Sequence, residues 1–216
     1  MTEAAYPLDI DGVWCQVFAG CARGRPALFL DRDGVVVEEV DFLHRVEDIA
    51  ICPAAAEVIA AANSHGIAVV LITNQSGVGR GYYGWAEFQA VQRAIQRAMV
   101  SAGAHFDAVF ACPHHRDAKG AFAHPDHPDR KPNPGMLRRA ATALDIDMAR
   151  SWLVGDRMID IEAARRAGLG GALHVLSGYG RAESAAALAL SAPGFDVRGA
   201  ASIAGALTLP LFPHPR

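Results

Sequence analysis

Residues 27–34 read ALFLDRDG: four apolar residues run directly into two carboxylates, Asp31 and Asp33, set one residue apart. A run that is apolar at every position fits a strand covered on both faces, because a strand with one wet face alternates apolar and polar residues. The same pattern recurs along the chain. Residues 67–72, 108–111, 152–154 and 172–176 are further short apolar runs, and the stretches between them carry helical signals. Residues 53–64 begin with Pro53 at a plausible first helical position and stop before Gly66. Residues 85–100 place Phe88, Val91, Ile95 and Met99 on one face at spacings of three and four. Asn133 is positioned to cap a third helix with Pro134 in its first turn, and a fourth covers residues 159–168. Strands alternating with helices predict an open, doubly wound α/β domain with a parallel sheet.

Composition narrows what such a domain does. The 216 residues are 51% hydrophobic and 20% charged, with 20 basic residues against 23 acidic ones and a net charge of −3. A chain of this size buries roughly 70–75% of its unfolded surface, so its core needs neither disulfides nor a structural metal. The charge balance excludes a protein that coats nucleic acid, which needs a surplus of Lys and Arg. No apolar run reaches the roughly 18 residues of a membrane span, and the opening MTEAAYPLDIDG is acidic where a secretory signal is basic. The expectation is a soluble, cytoplasmic protein with reduced thiols, since Cys15, Cys21, Cys52 and Cys112 form no CxxC pair. Residues 1–24 read as an N-terminal extension. Residues 25–216 read as one domain whose tail, from about Ser184, is peripheral.

In doubly wound sheets ligands bind beyond the carboxyl ends of the strands. Four polar signals fall there or nearby. DRDG points Asp31 and Asp33 at one cavity, suited to a hard cation or to paired nucleophile and acid roles; a plain polar turn would read the same. VVLITNQSG ends a strand in Thr73 and small residues whose hydroxyl and N–H groups suit phosphate oxygens. DRKPNPG sets Arg130 and Lys131 before a helix N-terminus, an arrangement that favours anions. GDRMID sets Asp156 at the end of an apolar strand, where a carboxylate needs a cation or donor, and Asp160 four residues on in a supporting role.

Taken together, the order DxDG, strand-end Thr, Lys, GDxxxD resembles the haloacid dehalogenase (HAD) superfamily of aspartate-nucleophile phosphatases, over residues 27–180. More narrowly, FLDRDG, ITNQSGVGRGYY, CPHH, RKPNPGML and VGDRMID are similar to the D-glycero-D-manno-heptose 1,7-bisphosphate phosphatases and their histidinol-phosphatase relatives. The resemblance implies a HAD-like, Rossmannoid sheet without a large cap domain. It implies Asp31 as nucleophile, Asp33 as acid and base, and Thr73 and Lys131 as stabilisers of the transferring phosphoryl group. Asn74, Gln75, Arg130 and Arg157 match substrate-contacting positions. Mg2+ would be held by Asp31, the Asp33 carbonyl and Asp156. The substrate class implied is a small phosphorylated metabolite such as the heptose bisphosphate, with histidinol phosphate or a nucleotide end as the alternative, and the relatives' usual state implies a monomer.

The family also binds Zn2+ through Cys-x-His and, after twelve residues, Cys-x-Cys. Here Cys112 and His114 keep the first pair, while His127 and Asp129 stand at the second. Both residue types ligate zinc, so the site is carried as a structural one, with His115 or His124 as substitutes or no metal as the alternatives. Val35 stands where a Thr is common, and the 39–44 loop (EVDFLH) departs from the relatives' sequence. A phospho-accepting receiver domain is the competing reading from another class, since it too gathers acidic residues, Thr and Lys around Mg2+.

Overall fold

Each expected apolar run forms a strand. In the computed structural model, which describes residues 6–18 and 24–212, β1 is Trp14–Val17 and β2 is Ala27–Leu30. Helix α1 (Ala55–Ser64) leads to β3 (Ala68–Asn74), the five-residue α2 (Ser76–Arg80) and the long α3 (Trp85–Ser101). The chain continues through β4 (Ala108–Cys112), α4 (Gly135–Leu144), β5 (Trp152–Gly155), α5 (Met158–Ala167) and β6 (Gly171–Val175). It closes with α6 (Gly180–Leu188) and β7 (Asp196–Ala200). Cys21 lies outside the described residues, and Cys15, Cys52 and Cys112 are free thiols. No described helix is long and apolar enough to cross a membrane.

The sheet order is β1-β4-β3-β2-β5-β6-β7. Strand β2 sits at its centre, parallel to β3 on one side (Leu30 beside Leu71) and to β5 on the other (Leu30 beside Val154). The chain winds outward through β3 and β4, then crosses back over β2 to β5. That reversal opens a crevice at the carboxyl end of β2, and Asp31 is its first residue.

Alternate side chains of the central strands feed two cores. Leu28, Leu30, Val69 and Leu71 pack beneath α1 and α3, while Phe29, Val70, Ile72 and Leu153 pack beneath α4 and α5. Each of these side chains is fully buried, which contributes roughly 1.5–3 kcal/mol apiece. The α3 face runs as expected: Phe88, Val91 and Ile95 are wholly buried, and Glu87 caps the start by accepting from the Gly84 N–H at 2.9 Å.

Several local expectations are corrected. Pro53 lies in a turn outside α1, because the chain enters that helix through Ala54 in the left-handed region, at φ 65°. Asn133 caps nothing; its amide donates to Asp126 Oδ1 and the His127 carbonyl, bracing the preceding loop. The stretches before Arg25 and after Ser184 both enter the sheet. Strand β1 pairs antiparallel with β4, and Trp14 packs its ring at 5.1 Å from Phe88. Strand β7 pairs with β6, after which Ile203, Leu209 and Phe212 return to the core. Both strands lie at sheet edges and bury few side chains, so their sequences lack the unbroken apolar run of the central strands.

Candidate active site at the carboxyl ends of the central strands

A cavity of about 280 Å³ opens at the crevice. Its wall contains Asp31, Asp33, Thr73, Asn74, Gln75, Arg130, Lys131, Asp156 and Arg157, drawn from four separate segments of the chain. Arg80, Tyr83 and Tyr179 join them without having been singled out by the sequence, as do Glu39 from the 39–44 loop and His115, which the sequence offered only as a substitute zinc ligand.

Lys131 is the pivot. Its ammonium is buried and contacts Asp31 Oδ1 at 2.8 Å, Asp160 Oδ1 at 2.7 Å and the Ile72 carbonyl at 3.1 Å. Two ion pairs and one hydrogen bond to a backbone carbonyl fix the charge in place. Burial works against that charge, yet Asp160 and Asp31 outweigh it and raise the lysine pKa. The backbone is clamped as well: Asn74 accepts from the Lys131 N–H and donates to its carbonyl, both at 3.1 Å. Asn74 thus holds the lysine's own peptide units. Asp160 takes the supporting role expected of it, pairing with Lys131 while its Oδ2 accepts from the Arg157 N–H at 3.1 Å.

Asp33 is held differently. The Arg32 guanidinium grips both its oxygens, each at 3.0 Å, and Arg32 itself is buried beneath the site over the Phe88 ring. Gln75 donates to Asp33 Oδ2 at 3.1 Å and to Thr73 Oγ1 at 2.8 Å, while accepting from the Tyr83 hydroxyl at 2.6 Å. Gln75 therefore acts as a hub beneath the cavity. Arg32 and Tyr83 lie inside quoted motifs, DRDG and GRGYY, but nothing in their spacing marks them as positioning groups.

Asp156 is seated between two glycines. Gly34 (φ 78°) and Gly178 (φ 51°) face its Oδ2, and a Cβ on either would lie 2.6 or 2.1 Å from that oxygen. Tyr179 donates its backbone N–H to the same oxygen at 2.8 Å. Close approach of two backbones leaves room for hydrogen alone.

Ligand atoms of Asp31, Asp156 and Asp160 lie within 4.8 Å of one another. Burial first, then repulsion from Asp160 at Asp31 and from Asp31 and Asp160 at Asp156, pushes both carboxyls up to about 7 from 3.8. Burial, with repulsion from Asp33 and Asp156, likewise raises Glu39 to about 7. Three converging carboxylates balanced by one lysine suit a hard divalent cation. A raised carboxyl pKa means that the fold binds more protons than the unfolded chain between about pH 4 and 7. The metal-free protein is therefore expected to lose stability as pH rises through that window. Mg2+ should restore it, raising the melting temperature more at about pH 8 than at about pH 5, where protons compete with the ion. A thermal shift equal at both pH values would count against a cation site here.

The four zinc candidates have other partners. Cys112, His114, His127 and Asp129 line no part of this cavity and are not a converging group among the described residues. The His114 and His127 rings stack in parallel, 3.6 Å between centroids, and His114 Nε2 donates to the Asp11 carbonyl at 2.9 Å. Both Asp129 oxygens bond to Arg139. Burial pushes the Cys112 thiol up to about 12.

A HAD-hydrolase-like family model matches residues 129–200. Among relatives, the D-glycero-β-D-manno-heptose-1,7-bisphosphate 7-phosphatase of Mesorhizobium japonicum is 44% identical over 170 residues, covering 78% of each chain. The corresponding phosphatase of Thermosynechococcus vestitus is 42% identical, covering 72% of this chain and 81% of the other. Among solved structures, a protein of Mesorhizobium loti described as a HAD-like phosphatase superposes with a TM-score of 0.84 at 38% identity, covering 98% of this chain and 100% of the other. The D,D-heptose 1,7-bisphosphate phosphatase of B. bronchiseptica, complexed with magnesium and phosphate, gives 0.73 at 34%, covering 84% and 95%.

Proposed function

The chain belongs to the HAD-like phosphatase family that includes the heptose-bisphosphate 7-phosphatases, and from that membership we propose that it is a Mg2+-dependent phosphatase of D-glycero-D-manno-heptose 1,7-bisphosphate. The observation that carries the reading is one cavity holding Asp31 against the buried Lys131, with Asp33 across from it. Asp31 is the nucleophile. Its free carboxylate oxygen bonds to phosphorus as the bond from phosphorus to the sugar oxygen breaks, and Asp33 delivers the proton that oxygen takes up. Asp33 then draws a proton from water, whose oxygen displaces Asp31 from phosphorus and releases phosphate.

Lys131 and the Thr73 hydroxyl face the transferring oxygens and offset the charge that develops there. Mg2+, held by Asp31, the Asp33 carbonyl and Asp156, supplies the remaining charge neutralisation when bound. Asn74, Gln75 and Arg32 keep the acting groups in register, which is what a reaction governed by positioning requires.

The substrate reading rests on the rim. Arg80, Arg130 and Arg157 line the same cavity, and three cations beyond the reacting centre suit a second phosphate better than a neutral ring. A phosphate-release screen with Mg2+ is the test. The heptose 1,7-bisphosphate should exceed histidinol phosphate and nucleotide monophosphates in kcat/KM by at least about 100-fold, the worth of about 3 kcal/mol of extra binding in the transition state. Histidinol phosphate turned over equally well would overturn the substrate assignment.

A further inference from the structure

From Pro113 to Pro134 the chain runs without a strand or an α-helix, only a short 3-10 turn at Gly120–Phe122. A connection this long costs conformational entropy at every fixed residue. Yet it ends in Arg130 and Lys131, whose side chains must sit within a fraction of an ångström of their working places. Something must hold it.

The fold family would use zinc, but the donor set here does not accommodate the ion. The Arg139 guanidinium, one turn into α4, reaches Asp129 with Nε at 2.9 Å and Nη2 at 2.8 Å, engaging both carboxylate oxygens. A zinc ion at Asp129 would face that cation at contact distance. His127 Nδ1 accepts from the Asp129 N–H at 3.2 Å, and His114 Nε2 is bound to the Asp11 carbonyl. With Asp129 committed to Arg139, three of the four family positions remain, one short of the closed tetrahedral set that a structural zinc takes.

The same guanidinium has a third arm. Arg139 Nη1 meets Asp9 Oδ2 at 2.7 Å, and Asp9 Oδ1 accepts the N–H groups of Asp11 at 3.0 Å and Val13 at 2.8 Å. The carboxylate of Asp129 is closely seated: a Cβ on Gly135 would come within 2.2 Å of its Oδ1. On the far side of the loop, Arg130 donates to the His114 carbonyl at 3.0 Å, which ties it to the backbone beside the stacked histidines.

We propose that Arg139 replaces the metal as the cross-link of this loop, joining Asp129 to Asp9 and so making the segment before β1 part of the phosphate-binding apparatus. A bidentate guanidinium–carboxylate pair supplies the directional, charge-assisted hold that a metal otherwise gives. Arg139 is a positioning residue: it acts on substrate only through Arg130 and Lys131. The inference rests on the assignment of those two residues to phosphate binding.

Three measurements on the full chain test it. Elemental analysis of protein purified with zinc in the medium should find a small fraction of one zinc per chain. Trypsin should cut within residues 113–134, at Arg116 and Lys119, several-fold faster in Arg139→Met and Asp9→Asn than in the wild type, with Arg139→Lys between. Steady-state kinetics should show KM raised about tenfold in Arg139→Met with a smaller fall in kcat, because Asn74, Asp31 and Asp160 still hold Lys131, and partial recovery in Arg139→Lys. Stoichiometric zinc, or loop cleavage and KM both unmoved in Arg139→Met and Asp9→Asn, would overturn the proposal. Should the wild type hydrolyse no phosphate ester while the variants' loops are cut faster, the functional assignment fails and the cross-link stands.

Discussion

Asp31→Asn should abolish phosphate release, lowering kcat by about 10⁴-fold or more, since an amide cannot form the acyl phosphate that divides the reaction into two steps. The same change should leave the fold intact and, without Mg2+, at least as stable as the wild type at about pH 8. Asp31 is a buried carboxyl raised to about 7 first by burial and then by repulsion from Asp160, so its ionised form is costly to hold. Asn removes that charge, while Lys131 keeps Asp160 as its counter-ion at 2.7 Å. The pair of readouts is diagnostic: inactivity with a raised or unchanged melting temperature marks a group kept for chemistry at the expense of stability. Activity within tenfold of the wild type would place the nucleophile elsewhere.

Lys131→Met should have the opposite signature, losing stability and activity together. Methionine fills the volume but leaves Asp31 and Asp160 facing each other with no cation between them. Breaking a buried ion pair by removing one partner costs about 3–5 kcal/mol, which for a chain of this size is roughly 10 °C in melting temperature. The carboxylates would then take up protons, so the loss should be larger at about pH 8 than at about pH 5. Turnover should fall about 100- to 1,000-fold with the missing phosphoryl contact. Calorimetry at the two pH values checks the first claim, and the Asp31→Asn/Lys131→Met double variant checks its cause. It should be less destabilised than Lys131→Met alone; equal destabilisation would mean that lost packing, and not stranded charge, is responsible.

The central strands were legible because burial on both faces leaves a trace that sequence cannot hide: ALFL, AVVLI and WLVG have no polar position. The polar groups at their ends that line the cavity were legible for the same reason, since Asp31, Thr73 and Asp156 interrupt apolar runs where only a site or a partner tolerates them. Edge strands leave no such trace. Strand β7 (DVRGA) buries a single side chain, Val197, and reads as loop. Long-range polar partners are equally silent. Arg139 meets Asp129 ten residues back and Asp9 across the fold, and the sequence shows three charged residues without saying that they touch. Asn74 and Gln75 stand at positions where the family contacts substrate, but the structure commits their amides to Lys131, Asp33 and Thr73. Which way an amide turns is decided by neighbours such as Tyr83, not by its own place in the chain.

The burial of Lys131 also separates two electrostatic regimes. Its ammonium is stripped of water before any substrate arrives, so its attraction for phosphate is shielded from mobile ions, whereas Arg157, with its side chain 44% exposed, projects into a medium whose screening length is about 8 Å at physiological salt. On the proposed assignment, raising ionic strength should weaken capture at the mouth and leave the chemical step at the floor almost untouched.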